Sequence, residues 1–408
     1  MNRFLQTYNP NKAHIVLLII LAIIIPSGFY NVEGIIIPLL FFNWLLFIKG
    51  YKRLNRMPVG TALLFCFFML YLIGFFITDN LDSQLKATTQ HLSYILIPFS
   101  LIGVELPKKH LENIKRGFIW ATLTFILIAF GYALFDYLNT GKSTIYINNS
   151  VQSKFRYYGL TRVFKDWHPT YVSLFCNLAL VFTYNIYIKK RRYIIAGIIT
   201  ITLVITILLL NSFIGILGLW AIVSLYFILL IKVFWKRIVV VLVVIGLMLS
   251  FYHFNPFNFS KIERFKATKI SIVDTKVKRN ILNLRLAKWQ VSYNLFKTAP
   301  FFGVTPGDYR GEMVELYKEE GFDYAADRKF SSHNQYLNIL ASFGLVGFVL
   351  FLTIIIYPLR FGGEMAMFLL VFSLFWLTED LLLRQQGIVL FSFFYSILQL
   401  KVKTGDEV

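Results

Sequence analysis

The feature that most constrains this chain is an almost unbroken succession of apolar runs along its length. About twelve of them are long enough to cross a bilayer, near residues 14–30, 33–49, 61–78, 89–104, 117–138, 169–188, 193–211, 213–234, 238–252, 333–357, 364–382 and 387–400. Hydrophobic residues make up 57% of the chain and charged ones 15%, and the mean hydropathy is +0.64. A water-soluble fold has no interior large enough for that much apolar surface. Helices satisfy their own backbone hydrogen bonds in lipid, so the expected class is all-α: a polytopic integral membrane protein of about twelve transmembrane helices. The first run has no small-residue cleavage site behind it and is expected to be retained. Pro38 and Pro98 fall within spans and are expected to kink them. Cys66 and Cys176 both lie in apolar runs, which disfavours a disulfide framework or a metal site.

The loops alternate in charge. KGYKRLNR (49–56), PKKHLENIKR (107–116), KKRR (189–192) and KVFWKR (232–237) are basic, whereas NVEG (31–34) and TDNLDSQ (78–84) are acidic. Excess Lys and Arg stays in the cytoplasm, so both termini are expected inside. Much of the +20 formal charge is then a topology signal and calls for no nucleic-acid partner. The chain divides into residues 1–252 with nine spans, an outside loop at 253–332 between spans 9 and 10, and residues 333–408 with three spans and a cytoplasmic tail.

Two outside loops depart from the alternation. The smaller, 139–168, holds Lys142, Lys154, Arg156, Arg162 and Lys165 against Asp166. The larger, 253–332, holds fourteen Lys/Arg, Arg279 and Arg285 among them, against nine Asp/Glu. Two readings fit. Long loops translocate whatever their charge; alternatively, these loops attract a polyanion at the outer membrane face. Phosphate or diphosphate suits arginine, whose planar fork grips two oxygens.

Within the larger loop, residues 279–298 have helical spacing, with Leu284, Ala287, Val291 and Leu295 in an apolar stripe and Arg285, Trp289 and Phe296 on an adjoining face. A helix lying on the membrane surface explains the stripe; a phosphate ligand at Arg285 is the functional alternative. The turn-rich TAPFFGVTPGDYRGE (298–312) offers backbone N–H groups that a ligand can approach. Beyond it, SSHNQ (331–335) precedes a long apolar helix. Ser332 followed by Gln335 fits a capping box, with His333 as the first helical residue. A helix N-terminus disfavours a second positive charge, so His333 is expected to be neutral and able to accept a proton. The alternative is a histidine that only anchors the helix end at the headgroups.

The run His333–Phe351, with its histidine–asparagine pair followed by Leu337, Leu340, Gly344 and Gly347, resembles the signature of the O-antigen ligase and polymerase superfamily. The R-x-x-x-W pair Arg285 and Trp289, PFFGVTPGDY (300–309), HPTYVSLFCNLAL (168–180), TED (378–380) and RQQGIVLF (384–391) accompany it in the family's order. The resemblance implies a bacterial inner-membrane enzyme with about twelve spans, a large periplasmic loop and a periplasmic active site. It implies transfer of a glycan from an undecaprenyl-diphosphate carrier to an acceptor hydroxyl, on the lipid A core for a ligase or on a growing glycan for a polymerase, with no cofactor or metal. It makes His333 the general base and Arg285 the diphosphate ligand. Further substrate contacts are expected from Arg156, Arg162, His168, Arg279, Trp289, Asn334, Glu379 and Arg384; by sidedness alone, Glu379, Asp380 and Arg384 at the outer end of the eleventh span either orient His333 or Arg285 or are simply polar residues at a helix end. One feature departs from the family: Phe213 follows Ser212 where many members carry a second diphosphate-binding arginine. Arg156, Arg162 or a cation of the large loop is expected to replace it. The rival class is a transporter. Transporters place ionisable residues at mid-bilayer and show repeated, broken helices, and the sequence shows almost no ionisable residue in mid-span and no repeat.

Overall fold

The computed structural model describes residues 9–147, 150–164, 167–231, 233, 235–239, 242, 243, 246 and 281–400. Two thirds of the ninth expected span (238–252) lies outside them, as do Arg279 and the first third of the large loop (253–280). Among the described residues, seven helical segments are long and apolar enough to span a bilayer: 10–27, 30–48, 59–76, 108–140, 169–188, 193–210 and 335–361. Three apolar helices are shorter, Phe213–Tyr226, Gly363–Trp376 and Gln385–Leu398. The expected span at 89–104 is not one helix. It is broken at His91–Leu92, between Leu81–Gln90 and Ser93–Ser100. His91 accounts for the break: its buried ring bonds to the Leu382 carbonyl at 2.9 Å and to the Tyr71 hydroxyl at 2.8 Å.

In chain order the helices are α1 (Pro10–Ile24), α2 (Tyr30–Phe42), α3 (Val59–Ile73), α4 (Leu81–Gln90), α5 (Ser93–Ser100) and α6 (Lys108–Thr140). After a hairpin of β1 (Thr144–Ile147) and β2 (Ser150–Ser153) come α7 (Tyr157–Thr161), α8 (Pro169–Thr183), α9 (Tyr193–Leu210) and α10 (Phe213–Leu230). The last group is α11 (Ile281–Thr298), α12 (Thr305–Glu319), α13 (Asp323–Asp327), α14 (Gln335–Ile356), α15 (Gly363–Trp376) and α16 (Gln385–Leu398). Among the described residues, the two-stranded hairpin is the departure from an all-helical chain. Its loop is tied down by Asp136 at the end of α6, which pairs with Lys154 at 2.9 Å and with Arg162. Two cations of the smaller basic loop are therefore explained by the fold.

Every residue of α8 is buried, and so is α16 from Gln386 to Ile397. A helix that is apolar all round belongs in the centre of a bundle. Asn177, within α8, satisfies its amide nitrogen by donating to the Ser173 carbonyl at 2.8 Å and the Gly215 carbonyl of α10 at 3.1 Å. The outer helices keep apolar residues exposed, for example Ile194, Ile198 and Ile201 of α9. Glu33, expected in an outside loop, is instead in the first turn of α2 and fully buried. His14 of α1 is buried as well, so the spans are less free of ionisable groups than their apolar runs imply.

The stripe on α11 does not lie on a membrane surface. Val291 and Leu295 form a second core with Tyr309, Met313 and Tyr317 of α12, Ala325 and Ala326 of α13, and Ala341 of α14. The turn 299–304 fills a break in α14 at Gly344, whose φ is +62°. Its carbonyls at Pro300 and Phe301 accept from Leu345 N (2.9 Å) and Val346 N (3.2 Å), and Val304 N donates to the Ala341 carbonyl (3.0 Å). Gly303 of this turn packs against the α14 backbone at Ser342 and Phe343 and so serves a helix junction.

Candidate active site

The site forms where the start of α14, the face of α11 and the segment 377–384 between α15 and α16 converge. Asn334, not Ser332, caps α14: its side chain accepts from Leu337 N at 3.2 Å, and the helix begins at Gln335. The expected capping box does not form because Gln335 accepts from Leu382 N at 2.8 Å. Ser332 is buried, accepts from Asn334 N at 3.2 Å, and places its hydroxyl 3.1 Å from Asp380 Oδ1. His333 therefore precedes the helix, with a left-handed φ of +49°. That conformation is unusual for a residue other than glycine. Asp380 Oδ2 holds it by accepting from His333 N at 2.8 Å.

The neighbouring carboxylate takes the ring. Glu379 Oε2 lies 3.4 Å from His333 Nδ1, and Oε1 lies 4.0 Å from Arg285 Nη2. The His333 and Arg285 side chains remain 32% and 30% exposed, so a ligand can reach both, while Glu379 is largely covered at 16%. Burial pushes the Glu379 carboxyl up. The His333 hydrogen bond and the positive charge that His333, His168 and Arg285 can carry more than offset this, and hold it below the usual range. Asp380 goes the other way, raised by burial that its partners only partly offset.

His168 caps α8, its Nδ1 accepting from Thr170 N at 3.2 Å. That bond leaves the proton of a neutral ring on Nε2. Burial, only partly opposed by Glu379, lowers its pKa, and Arg384 and His333 lower it further. Arg384 is exposed at the start of α16, with its guanidinium 5.7 Å from the centre of the Tyr171 ring. Of the residues expected from sequence, the structure thus gathers His333, Asn334, Arg285, Glu379, His168 and Arg384. Trp289 lies one turn along α11 from Arg285, its indole nitrogen buried without a hydrogen-bond partner among the described residues. Arg156 immediately precedes α7. Arg162 is engaged elsewhere, paired with Asp136 and 5.2 Å from the centre of the Tyr132 ring.

Lys288 was not foreseen. It is 4% exposed, with its ammonium 4.8 Å from the centre of the Phe330 ring. Burial and then the Arg285 charge push it down to about 8, against Asp380 and Glu379. Its spacing from Arg285, three residues on along one helix, was the signal available in the sequence. Among the described residues no group of three or more His, Cys, Asp or Glu is arranged to hold a metal ion. The arrangement suits proton transfer at His333 beside a cationic surface.

Residues 198–352 match the O-antigen ligase family. This supports the superfamily resemblance read from the histidine motif. The O-antigen ligase match takes in Arg285, Lys288, Trp289, His333 and Asn334. Glu379, Asp380, Arg384 and His168 lie outside it and reach the matched region through the fold. No curated protein matches the chain.

Proposed function

We propose that this protein is a glycosyltransferase that moves a glycan from undecaprenyl diphosphate to a hydroxyl of the lipid A core at the periplasmic face of the inner membrane. The observation that carries the reading is Glu379, whose two oxygens reach the His333 ring and the Arg285 guanidinium. In this reading Glu379 keeps the Nδ1 proton of His333 in place and leaves Nε2 free. The acceptor hydroxyl gives its proton to Nε2 as its oxygen bonds to the anomeric carbon of the donor sugar. The bond from that carbon to the diphosphate oxygen breaks, and the electron pair leaves with the diphosphate. Glu379 stabilises the imidazolium, as a buried carboxylate does in a hydrolytic triad. Arg285 takes the charge that develops on the leaving group, where a preorganised cation lowers the barrier most. Attack opposite the leaving group inverts the anomeric centre. Arg384 is the second guanidinium that this chemistry calls for, in place of the arginine missing at Phe213.

The test is transfer from purified undecaprenyl-diphosphate glycan to lipid A core by the full chain in detergent. His333→Ala is expected to abolish transfer at an unchanged Tm. Glu379→Gln is expected to lower turnover about 100-fold or more, because an amide cannot stabilise the imidazolium. Near-normal transfer by His333→Ala would remove His333 as the base. Glycan lengthened on the carrier, instead of joined to lipid A, would make the protein a polymerase of the same superfamily.

A further inference from the structure

The smaller outside loop carries two adjacent aromatic side chains, Tyr157 and Tyr158, at the start of α7. Helix α7 is anchored by Leu160, 2% exposed, and by Gly159, which packs on the Ser153 carbonyl. Tyr157 and Tyr158 precede that anchorage and are half-buried. Their rings meet edge to face at 4.6 Å. Tyr158 meets His168 at 5.3 Å, His168 meets Tyr171 at 6.4 Å, and Arg384 lies 5.7 Å from the centre of the Tyr171 ring. An aromatic wall therefore runs from α7 to the start of α16. Tyr157, like His333, has a left-handed φ, +49° in both. Such a conformation is costly for a bulky side chain and gathers at functional sites.

The charges place this wall relative to the site. Burial and then the Glu379 carboxylate raise the Tyr157 phenol, against Arg285. Burial, Tyr157 and Glu379 raise the Tyr158 phenol, against Arg384. Both phenols stay neutral, Tyr157 in the field of Arg285 and Tyr158 in that of Arg384. A sugar joined to a diphosphate held by Arg285 and Arg384 has to lie against whatever stands between them. Aromatic rings receive the apolar C–H face of a pyranose, and phenol hydroxyls bond its hydroxyls.

We propose that Tyr157, Tyr158 and His168 form the subsite for the sugar joined directly to the donor diphosphate. This rests on the glycan-transfer reading of the site. The probes are undecaprenyl diphosphate without sugar and the same carrier bearing its glycan, with binding to the full chain measured in detergent. The unaltered protein is expected to bind the glycan-bearing carrier more tightly. Tyr158→Ala should weaken that binding about tenfold and leave the sugar-free carrier unchanged; Tyr157→Phe, which removes one hydroxyl, should fall between. Equal weakening of both carriers, or of neither, by Tyr158→Ala overturns the subsite while leaving the transfer reading intact. Failure of the unaltered protein to bind either carrier overturns the transfer reading, and the subsite with it.

Discussion

His333 and Lys288 show how two adjacent acidic residues organise a site made of cations. Asp380 fixes the backbone of His333 and Glu379 fixes its ring, from a segment some fifty residues away in sequence. That separation is why the capping arrangement was misread: Ser332 and Gln335 are suitable local capping residues, but both are taken by partners around residue 380. Lys288 is the residue with the clearest energetic consequence. Held down to about 8, it has lost its proton in the folded chain at a pH where the unfolded chain still keeps it. Between pH 8 and about 10.5, the ordinary lysine value, the folding penalty of a buried ammonium therefore falls away as pH rises. Below pH 8 the penalty is present in full, on the order of 3 kcal/mol. Lys288→Met is expected to raise Tm at pH 7, with the advantage over the unaltered protein shrinking as pH approaches 10. An unchanged or lower Tm at pH 7 would show that Glu379, Asp380 and Phe330 already compensate the charge.

At the scale of elements, the apolar runs were legible because a bilayer demands long uniform helices, and most of them appear close to their expected places. Contacts between elements were not legible. Nothing local announces that His91 will bond to Leu382 and break a span, or that Asp136 will draw Lys154 and Arg162 into anchoring a hairpin. The break in α14 is a similar case. Gly344, read as part of a family motif, is required by a close crossing: a Cβ there would lie 2.4 Å from the Phe301 carbonyl carbon, and one on Gly303 would lie 2.3 Å from that of Ser342. Both glycines also have positive φ, +62° and +72°. Gly344→Ala is expected to cost about 3 kcal/mol or more, since clash and backbone strain add. Gly311→Ala is the internal comparison. It lies exposed within α12 with nothing within 4 Å of the added carbon, so it should stabilise by up to about 1 kcal/mol. Thermal unfolding of the two variants in detergent checks both; similar Tm values would mean the crossing at Gly344 can open without cost.

Across the whole molecule, the charge alternation read from the loops corresponds to two distinct ends. At one, Glu112 pairs with Lys190 (2.5 Å) and Arg116 (3.3 Å), and Lys115 pairs with Glu364, so the basic segments 107–116 and 189–192 meet. At the other, Gln84 accepts from Gly307 N (2.8 Å), Asp308 accepts from Asp79 N (3.2 Å), and His333 meets Glu379. The acidic loop 78–84 and the site thus share an end opposite the basic loops, and the inside-positive rule puts that end outside if the proposed function holds. Cysteine labelling tests the orientation directly. In a Cys66→Ser background the remaining native cysteine, Cys176, is buried. A membrane-impermeant maleimide applied to intact spheroplasts is expected to label Lys318→Cys, whose parent side chain is 56% exposed at the site end. It should reach Lys190→Cys, 39% exposed at the basic end, only after the membrane is permeabilised. The reverse pattern would put the His333 site on the cytoplasmic face, away from any periplasmic acceptor.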